Sequence, residues 1–244
     1  MRRFYVEPGT VRGRQVTLGP EAAHRLARVL RLRPGEHVVL FDGSGQEWEV
    51  ELKSIGPRGV AATVVQDLPS PPEPRVRLSL LACLLKEPRF ELVLEKAAEL
   101  GVAEVVPVVG RRSVVRPWKE GAKQERWRRI VIEAAEQCGR ARPPELHTPL
   151  PMAQALRRAQ GLRIVPWEEE RSQGMRQLLR SLAAPPDQVS LLVGPEGGLD
   201  PQEVEAAREA GFQVVSLGER ILRAETAALV ACALVMYELG ELGP

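Results

Sequence analysis

Two turns near the C-terminus, the first rich in glycine and the second opened by one, hold the residues whose types and spacing suit chemistry. The first is Gly194-Pro195-Glu196-Gly197-Gly198-Leu199, entered from the apolar run Leu191-Leu192-Val193 and left at Asp200-Pro201-Gln202-Glu203. Asp200 reads as a helix N-cap, Pro201 as the first helical residue and Glu203 as the reciprocal partner of a capping box. This is a switch from strand to loop to helix. Its three glycines admit positive φ and let a ligand approach main-chain N–H and C=O groups at the carboxyl end of a strand. Glu196 puts a carboxylate in the middle, suited to general-base work or to binding main-chain N–H groups. The second turn, Gly218-Glu219-Arg220-Ile221-Leu222-Arg223, joins a strand over 213–217 to an almost wholly apolar helix that opens at Ala224-Glu225-Thr226 and runs to 239. Ile221 and Leu222 beside an obligate cation, Arg223, could hold a flat heterocycle with one charge at its rim. They read equally as two core residues and a solvated guanidinium. On this reading two neighbouring strand ends each present a loop.

Other chemistries find no support. Gly43-Ser44-Gly45 has Trp48 where a dinucleotide fingerprint needs its third glycine, and no phosphate-loop motif is present. His24, His37 and His147 are scattered, so no histidine-rich metal site is expected and each reads as a surface or packing residue. Cys83, Cys138 and Cys232 form an odd set without C-x-x-C, each among apolar neighbours, which predicts core thiols.

The elements that must position the two turns follow from hydrophobic pattern. Four prolines within 69–74 predict an extended linker and two domains, 1–70 and 75–244. Before it, short apolar or alternating segments separated by Gly and Pro predict a small β-rich barrel or sandwich, with a hairpin turn at Asp42-Gly43-Ser44-Gly45 and one helix over 20–31. After it, strands alternate with helices, the signature of an α/β domain with a mainly parallel sheet. Strands are expected over 79–85, 102–109, 163–167 and 190–193, and helices over 89–100 and 124–138.

The chain has 244 residues, 44% hydrophobic and 27% charged, the composition of a folded chain able to bury a core. Its start leads into no apolar signal region, and the uncharged run 227–237 is too short to span a membrane, so the expected compartment is the cytoplasm. Net charge is only +2, but its distribution is uneven. Residues 1–33 hold eight arginines against two glutamates, and 111–142 hold ten basic residues against four acidic, with Trp118 and Trp127. Two basic stretches suit an extended polyanion.

Taken together, several segments resemble the SPOUT-class RNA methyltransferases, and among them the RsmE type. They are Arg2-Arg3-Phe4-Tyr5, His24-Arg25-Leu26-Ala27-Arg28-Val29-Leu30-Arg31, Lys86, 95–101, Glu136-Gln137-Cys138-Gly139-Arg140, 194–198 and 217–227. The resemblance spans nearly the whole chain. It implies an N-terminal PUA-like β-barrel followed by a SPOUT α/β domain with a C-terminal trefoil knot. It further implies a homodimer whose subunits together form the site, no metal, and methylation at N3 of a uridine in 16S ribosomal RNA, within the small ribosomal subunit. S-adenosylmethionine would lie bent between the knot loops, contacted by Leu192, Val193, Gly194, Gly197, Gly198, Leu217, Gly218, Ile221, Leu222 and Thr226. Main-chain groups around Leu217 and Leu222 would hold its adenine.

Methyl transfer to uracil N3 requires loss of the imide proton, so a base and an anion stabiliser are needed. Glu196 is the candidate base and Arg223 the candidate charge partner for the uracil oxygens. The alternative leaves Glu196 bound only to main-chain N–H groups or the cofactor. Arg25, Arg28 and Arg31 recur every third residue and would share a helix face toward phosphates, extended by Arg2, Arg3, Arg12 and Arg14; Arg111, Arg112 and Arg116 would form a second contact. Two rival readings are a SPOUT enzyme with a different RNA target and a non-catalytic RNA-binding dimer.

Overall fold

Between Arg2 and Leu68, segments with one buried face pair into a six-stranded sheet. The computed structural model describes residues 1–113 and 121–243, in two units: Met1–Glu73 with Ala135–Pro143, and Pro74–Ala134 with the chain from Pro144 onward. In the first unit the strands are β1 (Arg2–Tyr5), β2 (Val11–Arg12), β3 (Gln15–Leu18), β4 (His37–Phe41), β5 (Glu47–Gly56) and β6 (Gly59–Leu68), in the order β1-β4-β5-β6-β3-β2. β1 and β4 are parallel and every other pair is antiparallel. The β4–β5 turn is the hairpin expected from Asp42-Gly43-Ser44-Gly45, with the Ser44 N–H donating to Asp42 Oδ1 at 3.0 Å. Leu26, Leu40, Val50 and Leu52 fill the core against this sheet.

The helix expected over 20–31 differs. α1 (Pro20–His24) continues as a π-helical turn, Arg25–Val29, and Arg31 lies beyond it in the left-handed region at φ +55°. The Leu30 N–H donates to the Arg25 carbonyl at 3.0 Å and the Leu32 N–H to the Leu26 carbonyl at 2.9 Å. This wide closing turn keeps Leu26 buried and packs Leu30 and Leu32 on the core. Arg25, Arg28 and Arg31 therefore do not share one α-helical face.

The second unit is built on a parallel sheet. Its strands are β7 (Arg77–Cys83), β8 (Glu104–Val109), β9 (Glu145–Leu146), β10 (Leu150–Pro151), β11 (Leu162–Pro166), β12 (Gln188–Val193) and β13 (Gln213–Val215). The order is β10-β8-β7-β12-β11-β13, with β9 beside β8. β7 and β12 form the centre, and their continuous apolar runs are buried on both faces. One face packs on α2 (Arg89–Glu99), α5 (Met175–Arg180), α7 (Ala224–Glu238) and Trp127 of α3 (Ala122–Cys138). The other packs on α4 (Met152–Arg158) and α6 (Pro201–Glu209). Periodicity gave no warning of α4, α5, β9 or β10, all of them short. The last turn of α3, from Ala135, belongs to the first unit. Cys83 and Cys232 are buried as expected, but Cys138 on that turn is exposed, because only one face of the helix end is covered.

Candidate active site

Three strand ends, not two, converge at the carboxyl edge of the parallel sheet. β11 lies between β12 and β13, so the two glycine turns are not on neighbouring strands, as the sequence suggested. The intervening end, Pro166-Trp167-Glu168, closes the gap and lines the resulting cleft beside both turns. The main cavity, about 270 Å³, has Val193, Gly194, Glu196 and Gly198 on one side and Ile221, Leu222 and Arg223 on the other. A smaller recess continues it along Ser216, Leu217 and Gly218.

The first turn is held from below. Asp200 caps α6, accepting from the Gln202 N–H at 3.0 Å, and Glu203 completes the capping box, accepting from the Asp200 N–H at 3.0 Å. Glu203 is buried, and its other oxygen accepts the Arg111 N–H at 2.8 Å. Of the three glycines in this turn, only Gly198 has positive φ, +69°. A Cβ there would also collide with the Glu168 carboxylate, and a Cβ on Gly194 would lie 2.9 Å from Leu199 Cγ. Main chain rather than side chain thus forms this wall of the cleft.

Glu196 is half-buried. Its Oε1 accepts the Lys86 N–H at 3.0 Å and lies 3.4 Å from Arg89 Nη1, while Oε2 is buried without a hydrogen-bond partner. Arg223 is exposed at the rim as the N-cap of α7. Ile221 is 81% exposed, which removes the reading that makes it a core residue; Leu222 is half-buried. Three expected contact residues sit off the lining. The Leu192 side chain is wholly in the core, Gly197 is exposed beneath Arg112, and Thr226 is exposed on α7.

The basic residues divide sharply. Arg111 and Arg112 are fastened to the first turn, each 3.5 Å from an oxygen of Asp200, with Arg112 also donating to the Gly197 carbonyl at 3.2 Å. Arg116 and Trp118 lie outside the described residues. In the first unit, Arg3 pairs with buried Glu47 beneath the Phe41 ring, and Arg25 pairs with buried Glu136. Each guanidinium neutralises a carboxylate that has left water, and the Arg25 side chain stays half-exposed. Arg28 and Arg31 are exposed, and exposed Arg2 donates to the Leu30 carbonyl at 2.7 Å beside them.

Sequence reasoning missed Arg89, Pro166, Trp167 and Glu168. No sequence signal marks 166–168, and only the insertion of β11 between the two signalled strands places it at the cleft. His147 is no isolated packing residue either. Its Nε2 lies 2.8 Å from Glu104 and 3.1 Å from Arg158. With Glu145 these groups meet the spacing of a metal cluster, but the Arg158 guanidinium sits among them at 3.0 Å from Glu104, where a cation would go.

An RNA methyltransferase domain matches residues 71–236, and an RNA methyltransferase PUA domain matches 18–65. The chain belongs to this RNA methyltransferase family. Within the family it is 35% identical to ribosomal RNA small subunit methyltransferase E of Synechocystis, covering 95% of this chain and 76% of that protein. It is 31% identical to the Bacillus subtilis protein of the same name, over 98% and 97%. Among solved structures, the Neisseria gonorrhoeae methyltransferase E bound to S-adenosylmethionine superposes with a TM-score of 0.86 at 33% identity, covering 97% of each chain. A methyltransferase of Legionella pneumophila in complex with the same cofactor gives 0.88 at 33% identity over 96% of each. The α/β architecture with a PUA-like first unit is thus the family's, and the cleft lies within its methyltransferase domain.

Proposed function

We propose that this protein transfers a methyl group from S-adenosylmethionine to N3 of one uridine in 16S ribosomal RNA. The observation that carries this reading is the cavity of about 270 Å³ at the strand ends, walled by main chain at Gly194 and Gly198 and bearing Glu196 and Arg223. Two relatives of matching fold hold the same methyl donor. The cavity fits it, since exposed peptide groups can meet its polar edges and Leu217 and Leu222 can flank a purine ring.

S-adenosylmethionine supplies an electrophilic methyl group on a sulfonium. Glu196, oriented through Oε1 by the Lys86 N–H, would take the proton that N3 gives up when it accepts that methyl group. Arg223, always charged, balances the negative charge that develops on the uracil oxygens. Residues 1–70 act as the RNA-binding barrel and 75–244 as the catalytic domain with its C-terminal knot. Arg2, Arg28 and Arg31 meet phosphates, with Arg111 and Arg112 bracing the cofactor loop. The working form is a cytoplasmic homodimer acting on RNA within the small ribosomal subunit; 81%-exposed Ile221 and 64%-exposed Tyr237 are apolar surface that a second copy could cover. Among the described residues, no helix is long and apolar enough to cross a membrane.

Mapping the methylated nucleotide on 16S RNA from a strain lacking the gene, before and after adding protein, tests the substrate. Single-turnover methylation against pH for Glu196→Gln tests the base: a loss of about 10²–10⁴-fold is expected, and full activity with an unchanged profile removes the assignment.

A further inference from the structure

Arg89 stands where the two cofactor turns meet. It is the first residue of α2, on the wall of the main cavity, and neither glycine turn contains it. Its Nη1 lies 3.4 Å from Glu196 Oε1 on the first turn. Its Nε lies 3.7 Å from Oε1 of Glu225, the second residue of α7, directly after the second turn. Glu225 is buried, and like Glu196 it keeps one oxygen, Oε2, buried with no hydrogen-bond partner. Two carboxylates on separate segments are therefore bridged by one guanidinium, each through one oxygen only.

A carboxylate held through a single oxygen can still rotate about its Cγ–Cδ bond and exchange the two. For Glu196 that exchange is opposed from two directions, by the Lys86 N–H at 3.0 Å and by Arg89. The guanidinium is planar and its donors are fixed relative to one another, so the ion pair with Glu225 at Nε favours one direction for Nη1. Glu225 thereby sets Arg89, and Arg89 sets Glu196.

We infer that Arg89, aligned by Glu225, is a positioning residue that fixes Oε1 of Glu196 and so sets the orientation of the carboxylate that meets the substrate proton. The inference rests on the reading of Glu196 as the base. It accounts for an ionic bridge that joins two separate segments through one half-exposed guanidinium. It also predicts that Arg89 acts through Glu196 rather than on RNA or cofactor directly.

The test is a double-mutant cycle on the full-length protein, with single-turnover methylation measured at saturating S-adenosylmethionine and RNA and cofactor affinity measured by calorimetry. Arg89→Gln is expected to slow transfer by about 10–100-fold, the cost of a base displaced by a fraction of an ångström to an ångström. Cofactor affinity stays within about twofold, and in the Glu196→Gln background the same substitution changes the rate by no more than about twofold, the usual limit of additivity. Arg89→Lys, which keeps the charge but not the fork, should recover part of the rate. Glu225→Gln, which leaves Arg89 in place, should lose rate in the same coupled way and carries the test if Arg89→Gln does not fold. An equal loss from Arg89→Gln in both backgrounds, or no loss while Glu196→Gln is slow, overturns the positioning role alone. A Glu196→Gln enzyme at the wild-type rate overturns the base, and with it this role.

Discussion

Replacing Glu203 by glutamine probes how the first cofactor turn is built. The buried carboxylate accepts the Asp200 N–H at 3.0 Å through one oxygen and the Arg111 N–H at 2.8 Å through the other. Glutamine preserves the volume but offers one acceptor and one donor, so one of these two N–H groups must face an NH2 group. A hydrogen bond to a charged group is worth about 1.5–3 kcal/mol, and a buried donor left unmet costs a similar amount. The expected destabilisation is about 2–4 kcal/mol, and alanine, which abandons both N–H groups and leaves a void, should exceed it. For a unit of this size, about 2–4 °C of melting temperature per kcal/mol gives a fall of about 4–16 °C. The N-cap substitution Asp200→Ala should cost only about 0.5–2 kcal/mol, since beyond the cap it removes two ion pairs at 3.5 Å to exposed arginines, which add little. Urea titration of the three variants, with calorimetric titration of S-adenosylmethionine, measures both consequences. Cofactor affinity should fall in the order of reduced stability, because the capped helix end and Arg111 hold the turn on which Gly194 and Gly198 lie. A Glu203→Gln protein within about 0.5 kcal/mol of wild type, the range of an ordinary surface change, would show that the carboxylate is not the fastener described.

The arginines of the first unit should separate into two classes. Arg28→Ala with Arg31→Ala should flatten the salt dependence of RNA binding by roughly 0.7 for each phosphate no longer neutralised, without lowering the urea midpoint. Arg3→Ala, by contrast, strands buried Glu47 and should cost about 3–5 kcal/mol while leaving the salt slope of the folded protein near wild type. Acid stability should depend on Glu104. Burial alone would raise its pKa, but hydrogen bonds from Ser79, Arg158 and His147 outweigh this and hold it at about 2. With the folded value below the unfolded one, Glu104 contributes stability that is complete above the unfolded value of 4.5 and is lost as pH falls toward about 2. Urea titrations at pH 2–5 should show this slope in the wild type and lose it in Glu104→Gln. Thiol titration should find one reactive cysteine in the native protein, Cys138, and three after denaturation. Burial leaves Cys83 and Cys232 inaccessible and pushes the Cys232 thiol up to about 12.

Local signals in this chain were strong where the physics is local. Asp200-Pro201-Gln202-Glu203 specifies its capping box through interactions within four residues, so the start of α6 was legible to the residue. The parallel sheet was legible because strands alternate with helices and the ends of β7 and β12, from Leu80 and Leu191, are apolar and buried, as strands covered on both faces are. The proline-rich segment holds one of the three points where the units divide, Glu73/Pro74, but no local signal marks the return of Ala135–Pro143 to the first unit. The motif segments that resemble the family were equally local, and family membership followed from them.

What the sequence left open depends on pairing between distant segments, which no periodicity encodes. The order β12-β11-β13 is a choice among partners with similar apolar patterns, and it alone brings Pro166–Glu168 into the cleft. Which arginine is free and which is spent on a buried carboxylate depends on partners 44 residues away for Arg3 and 111 for Arg25. Arg89 could not be distinguished from any helix-starting arginine until Glu196 and Glu225, 107 and 136 positions later, closed on it. Spacing along the chain determines capping, turning and amphipathic faces, because those interactions span a few residues. Ion pairs and strand neighbours are decided by which distant groups the packed core leaves within a few ångströms, and only the folded chain supplies that.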